Sequence, residues 1–188
     1  MKSGWCTTVF LSLFLIACSS DDDENSKSEK EFYPVIAFIR SELDKLDSMP
    51  LAVFAYREEG DLRDTQIITK QSFRQIAEGY FNPDISQTHL KGKYTEKVFM
   101  DATINRITLS YDTDDESAEV KKINVLIEPE SEKIKSIYLE KRLVSSDTIQ
   151  IQKMIWSSGR QFQVTTIPII QGKSGVIVRM AYVWDTAN

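Results

Sequence analysis

From Thr103 to the C-terminus, apolar and polar residues alternate with a period of two. Ile107, Leu109 and Tyr111 alternate with Arg106, Thr108 and Ser110, and Ile123, Val125 and Ile127 alternate with Lys122 and Asn124. That spacing predicts strands with one buried face. Further strands are predicted over Lys133 to Leu143, Thr148 to Trp156, Gln161 to Ile170 and Val176 to Trp184. The links between them are polar and short: Asp112 to Glu119, Glu128 to Ser131, Ser145 to Asp147, Ser157 to Gly159 and Gln171 to Gly175. Such links join antiparallel neighbours, because parallel strands need long crossovers. A six-stranded antiparallel meander is therefore expected over this half of the chain.

Upstream the period is that of a helix. Phe32, Val35, Ile36, Ile39, Leu43 and Leu46 fall on one face and Arg40, Glu42, Asp44 and Lys45 on the other, with Pro34 suited to a first helical position and Ser48-Met49-Pro50 as the stop. Phe38 lies off this stripe and widens the buried face. Two short strands, Leu51 to Tyr56 and Gln66 to Thr69, flank a turn at Glu58 to Asp61. Ser72-Phe73-Arg74-Gln75 matches a capping box; the helix it starts carries Phe73, Ile76, Ala77 and Tyr80 on one face and stops at Asn82-Pro83. The stretch from Asp84 to Lys93 is polar and reads as a loop. Thr95 reads as the cap of a short helical turn through Val98, Phe99 and Met100. The expected fold is α+β: a long curved antiparallel meander covered by the N-terminal helices, in the limit a half-barrel around the first of them.

The first residues belong to a different regime. Lys2 supplies positive charge, and the apolar stretch Val9 to Ala17 is too short to span a bilayer, which needs about 20 apolar residues. Its layout is that of a secretory signal. Leu15-Ile16-Ala17-Cys18 at its end resembles the lipobox of bacterial lipoproteins. The resemblance implies cleavage before Cys18 and acylation of that residue, which would make a lasting membrane anchor. Ser20, Asp21, Asp22, Asp23 and Glu24 follow closely and resemble the acidic export signal of Bacteroidota-type lipoproteins. That resemblance implies delivery to the outer leaflet of the outer membrane; a periplasm-facing position is the alternative. The stretch from Ser19 to Glu31 has no apolar residue and reads as a disordered tether. The expected organisation is thus residues 1–17 as leader, 18–31 as lipidated cysteine and tether, and 32–188 as one globular domain.

Composition narrows the chemistry. The chain carries a net charge of −5, the leader contributing +1 and the tether −4, so the domain holds only −2. Near-neutral, interspersed charge gives no footprint for nucleic acid. Both cysteines, Cys6 and Cys18, lie outside the domain, which excludes a disulfide or cysteine metal site within it. His89 is the only histidine, so a histidine-rich metal centre is excluded and a serine triad would rest on this one residue. No dinucleotide fingerprint, P-loop or His-Glu-x-x-His motif is present, and no cofactor is expected.

Three clusters remain as candidates. Glu58, Glu59, Asp61 and Asp64 invite a paired-carboxylate hydrolase but sit on a glycine turn, where acids are usually solvated. Asp112 to Glu116 has the look of a calcium loop, yet Ser117 and Ile123 stand where an EF-hand needs glycine and glutamate. Trp156, Phe162, Tyr182 and Trp184 form a candidate ligand or partner surface, with core or cross-strand packing as the competing reading.

The domain is also similar to a group of uncharacterised lipoproteins. The resemblance is carried by Phe32-Tyr33-Pro34-Val35, the stretch from Ser72 to Glu78, Tyr94 to Phe99, Asn105 to Thr108 and Phe162 to Thr166. It implies one domain of fixed layout and no site residues. The expected function is a non-enzymatic binding or assembly domain, tethered to the outer membrane through Cys18 and meeting another envelope protein. A carrier of a hydrophobic ligand within the curled sheet is the first alternative and a carboxylate hydrolase the second.

Overall fold

The computed structural model describes residues 32–184. The leader, Cys18, its lipobox and the acidic run lie outside the described residues. Two helices open the described chain around a hairpin: α1 (Val35–Ser48), β1 (Val53–Glu59), β2 (Leu62–Ile68) and α2 (Lys70–Phe81). A four-residue helix, α3 (Thr88–Lys91), follows. The rest is strand: β3 (Thr95–Asp101), β4 (Arg106–Asp112), β5 (Val120–Glu128), β6 (Lys133–Val144), β7 (Thr148–Ser157), β8 (Gln161–Ile170), β9 (Lys173–Ser174) and β10 (Val178–Val183).

All strands join one open antiparallel sheet in the order β2-β1-β10-β8-β7-β6-β5-β4-β3, with the two-residue β9 hydrogen-bonded to β8. The meander expected from the alternating pattern is its centre, β4 to β8 and then β10. It is lengthened by β3 on one side and by the β1–β2 hairpin, which docks on the last strand, on the other. Register shifts between Val120 and Lys122 and between Leu126 and Ile127 interrupt the β5–β6 pairing; such bulges bend a sheet and increase its twist. The β8–β9 link turns on Gln171 and Gly172, both at positive φ (49° and 76°), the backbone that a two-residue hairpin loop requires.

Alternation decides which face is covered. Ile137 and Leu139 of β6, Met154 and Trp156 of β7, Phe162 and Val164 of β8, and Tyr182 of β10 all point to the helix side and are buried. Against them lie Val35, Ile36, Ile39, Leu43 and Leu46 of α1 and Phe73, Ala77 and Phe81 of α2, giving one continuous core. Phe38 is half-buried against that core, its ring 6.4 Å from Tyr33.

The opposite face is a charge ladder. Asp112, Lys122, Glu140, Lys153, Thr165, Arg179, Glu58 and Arg63 follow one another across neighbouring strands in register. Ion pairs bind Lys122 to Asp112 (3.4 Å), Lys153 to Glu140 (4.0 Å), and both Arg179 (3.8 Å) and Arg63 (2.9 Å) to Glu58. Opposite charges directly across a ladder favour the observed register, and a one-residue slip would turn this row toward the core.

The structure corrects several local expectations: Thr88–Lys91, expected within a loop, forms α3, and Lys173–Ser174, expected within a turn, pairs with β8 as β9. Thr95 to Met100 is not a helical turn but edge strand β3, paired residue by residue with β4; the β-branched and aromatic side chains there suit a pleated surface, and pairing with β4 decides the outcome. The cap of α2 is Thr69 rather than Ser72. Ser72 donates its backbone N–H to Thr69 Oγ1 (3.1 Å), and the helix begins at Lys70. Lys70 then reaches back to the end of α1, donating to the carbonyls of Leu46 (2.8 Å) and Met49. Arg74 bridges the same two helices through Asp44 (2.8 Å) and Asp47 (2.6 Å). Thr69→Ala is expected to lower stability by about 1 kcal/mol, the usual value of an N-cap side chain, and Ser72→Ala by less; thermal midpoints of the two variants check the assignment.

Candidate functional site

The four aromatic residues singled out in the sequence are brought together, but inward. Trp156, Phe162, Tyr182 and Trp184 are all buried. Their rings lie 5.2 Å (Trp156 to Trp184), 5.7 Å (Trp156 to Phe162) and 5.9 Å (Phe162 to Tyr182) apart. Phe73 and Phe81 of α2 close the cluster from above, each within 6.4 Å of Trp156 and Phe162. This corrects the surface reading: rings that fill the space between α2 and the sheet display no face to a partner.

Two of the four turn acids are paired with arginines. Glu58 belongs to the charge ladder, Glu59 pairs with Arg57, and Asp64 accepts from the backbone of Thr65 (2.8 Å). In the Asp112–Glu116 loop, Lys93 (2.8 Å) and the Ser117 hydroxyl and amide hold the Asp115 carboxyl well below the usual carboxylate range. Among the described residues no group of three His, Cys, Asp or Glu side chains is placed to hold a metal ion. His89 is exposed on α3.

One buried charge escaped the sequence reading. Lys141 continues the inward row Ile137, Leu139 of β6 and is only 3% exposed. Its ammonium pairs with Glu119 (3.0 Å) and donates to the carbonyl of Asn82, just past the end of α2. A cation there satisfies a helix-end carbonyl and complements the helix dipole. The groove it borders, about 440 Å³, is lined by Gln75, Ile76, Tyr80 and Tyr182, with the Lys141–Glu119 pair as its charged groups. Lys141 therefore clasps α2 to the sheet. The signal that could have found it was a lysine at the inward parity of a predicted strand.

The longest exposed apolar run among the described strands is on β3. This is an edge strand with β4 as its single neighbour, so alternate N–H and C=O groups face outward without a ladder partner. Three consecutive apolar side chains stand exposed along it: Val98 at 66%, Phe99 at 63% and Met100 at 49%. Val98 and Met100 lie on the helix-side face beside the half-buried Leu109 and Ile107 of β4, and Phe99 lies on the other face beside Thr108. Lys97 and Asp101 flank the run. Lys97 is 3.4 Å from Asp112, and Asp101 Oδ1 accepts from the amides of Thr103 (2.9 Å) and Ile104 (3.4 Å). Free backbone groups and apolar side chains along one strand make a surface that another strand can extend.

Comparison with known proteins adds no relative: no family model, no curated protein and no solved structure matches this chain.

Proposed function

We propose that this chain is an outer-membrane lipoprotein, anchored through acylated Cys18 and directed to the cell surface by Ser20 to Glu24, whose folded part is a non-enzymatic assembly module that joins protein strand to strand along β3. The observation that carries the assembly reading is the run Val98, Phe99 and Met100, exposed on both faces of an edge strand. Natural sheets normally blunt such edges, and a contiguous apolar patch marks an interaction site. The alternatives draw less support. A carrier needs an interior that rings do not fill, and a carboxylate hydrolase draws no support from acids of which Glu58 and Glu59 are paired with arginines.

The test is the mass of the full chain after mild detergent extraction from its own membrane, beside a Val98→Lys/Phe99→Lys variant. The parent is expected to run as an assembly and the variant as a single chain with an unchanged thermal midpoint, since both side chains are exposed. A parent that is always a single chain overturns the reading. Anchoring is checked separately: Cys18→Ala is expected to leave the membrane fraction, and replacing Asp21 to Glu24 by alanine to protect the domain from protease added to intact cells.

A further inference from the structure

We infer that the strand accepted by β3 is the β3 of a second copy of this chain, paired antiparallel about a two-fold axis through Phe99. The inference rests on the assembly reading above and assigns its partner.

Parity limits how two such strands can pair. In an antiparallel ladder, two facing residues either both direct their N–H and C=O groups across the seam or both direct them away. Residues that face each other therefore share parity, and the axis of a symmetric pair must pass through a residue and stand perpendicular to the sheet. That places the helix-covered faces of both copies on the same side.

Registers then differ only in the residue on the axis. With Phe99 there, Lys97 faces Asp101 of the other copy, Val98 faces Met100, and the two Phe99 rings meet. The sequence Lys97-Val98-Phe99-Met100-Asp101 is thus complementary to its own reverse: charge to opposite charge, apolar to apolar, aromatic to aromatic. Cross-strand pairs of these kinds are the favourable ones. Moving the axis to Val98 sets Lys97 against Phe99 and Glu96 against Met100. Moving it to Met100 sets Phe99 against Asp101. Moving it to Lys97 stacks like charges.

The neighbouring contacts agree. Val98 and Met100 across the seam would join Leu109 of one copy to Ile107 of the other, extending the apolar helix-side face without a break. Asp101 keeps Oδ2 open, because both turn amides bind Oδ1. The flanking charges that disfavour a plain apolar strand become a match for the same sequence reversed, which gives selectivity through the cost of wrong partners. The other edge lacks this property: β2 folded back on itself about Thr65 sets Arg63 against Ile67 and Asp64 against Gln66. A symmetric contact also closes, giving a dimer rather than a filament. A five-residue seam is small beside standard interfaces, and confinement of both copies to one membrane would raise their effective concentration.

The experiment is oxidative cross-linking of the full chain in its own membrane. Three single substitutions are compared with the parent: Val98→Cys, Phe99→Cys and Met100→Cys. The proposed register brings only the Phe99→Cys pair to disulfide distance, so that variant is expected to give the dominant dimer band. In the otherwise parent chain, Lys97→Asp is expected to weaken dimerisation by roughly tenfold, because two symmetric attractions become repulsions. Lys97→Asp combined with Asp101→Lys is expected to restore it. A dominant band from Val98→Cys or Met100→Cys overturns the register. An assembly that contains one copy of this chain and a different protein, lost on Phe99→Lys, overturns the second-copy inference while leaving the assembly module standing. A single chain under every condition overturns both.

Discussion

Phe73→Ala is expected to destabilise the fold by about 3–5 kcal/mol, the range for truncating a fully buried phenylalanine. Phe73 has no exposed surface, and its ring lies 5.3 Å from Trp184, 5.4 Å from Tyr182 and 6.1 Å from Trp156, with which it stacks at 13°. It is the point at which α2 enters the aromatic cluster, so truncation leaves a cavity walled by rings held on a hydrogen-bonded sheet, which relaxes poorly. Against a total stability of about 5–15 kcal/mol for a typical domain, the loss is large enough to leave the variant partly unfolded at physiological temperature. Urea unfolding checks it: the midpoint should fall with little change in slope. Trp156→Phe in the same cluster is expected to cost much less than its lost area suggests. The indole Nε1 is buried without a hydrogen-bond partner among the described residues, and the substitution removes that unmet donor along with the extra ring.

The cluster also shows which parts of the fold were legible in the sequence. Strands β4 to β8 could be placed because each buries one face and exposes the other, so period two survives in the residues. Strand order could not be placed, because the β1–β2 hairpin docks on β10 through contacts between residues far apart in the chain, and pairing at that separation leaves no local mark. Strand β3 was misread for a related reason: Val98, Phe99 and Met100 are three apolar residues in a row, a run that has no period, and only the partner strand β4 decides between helix and sheet. The Thr69 cap was missed because Ser72 with Gln75 has the spacing of a capping box three residues on; the end of α1, held by Lys70, fixes where α2 begins. The aromatic residues were identified correctly as a group, but a sequence lists them without saying that Phe73 and Phe81 fold down over them. That covering helix is what turns a candidate surface into core and leaves the edge of the sheet as the exposed apolar feature.

Raising the pH from 10 to 12 is expected to unfold the domain, with tyrosine ionisation and loss of structure occurring together. Burial pushes Tyr94, Tyr111 and Tyr182 up to about 12 from the ordinary phenol value of 10, with nearby acids adding to the effect at Tyr94 and Tyr111. Tyr138 is also pushed up, by burial first and then by its hydrogen bond to Glu140 (2.6 Å). The neutral phenols have structural work at two of these positions: Tyr94 donates to the carbonyl of Val120 (2.9 Å), and Tyr111 accepts from the Tyr33 amide (3.0 Å) and donates to Glu96 (3.1 Å). A folded-state pKa above the unfolded one means that the native state holds its proton more tightly. The stability this represents is present in full below pH 10 and is lost as pH rises toward 12, because the unfolded chain releases its protons first. The loss at each tyrosine is about 1–2 kcal/mol once partial solvent screening is allowed for, a sizeable part of the stability of a typical domain. Following phenolate absorbance and far-ultraviolet circular dichroism through one titration tests this. The two signals should move together between pH 10 and 12, and Tyr111→Phe should make the descent shallower while lowering stability at neutral pH through the lost bonds to Tyr33 and Glu96. Ionisation of all the tyrosines near pH 10 with the dichroism unchanged would show instead that solvent reaches these phenols in the folded chain.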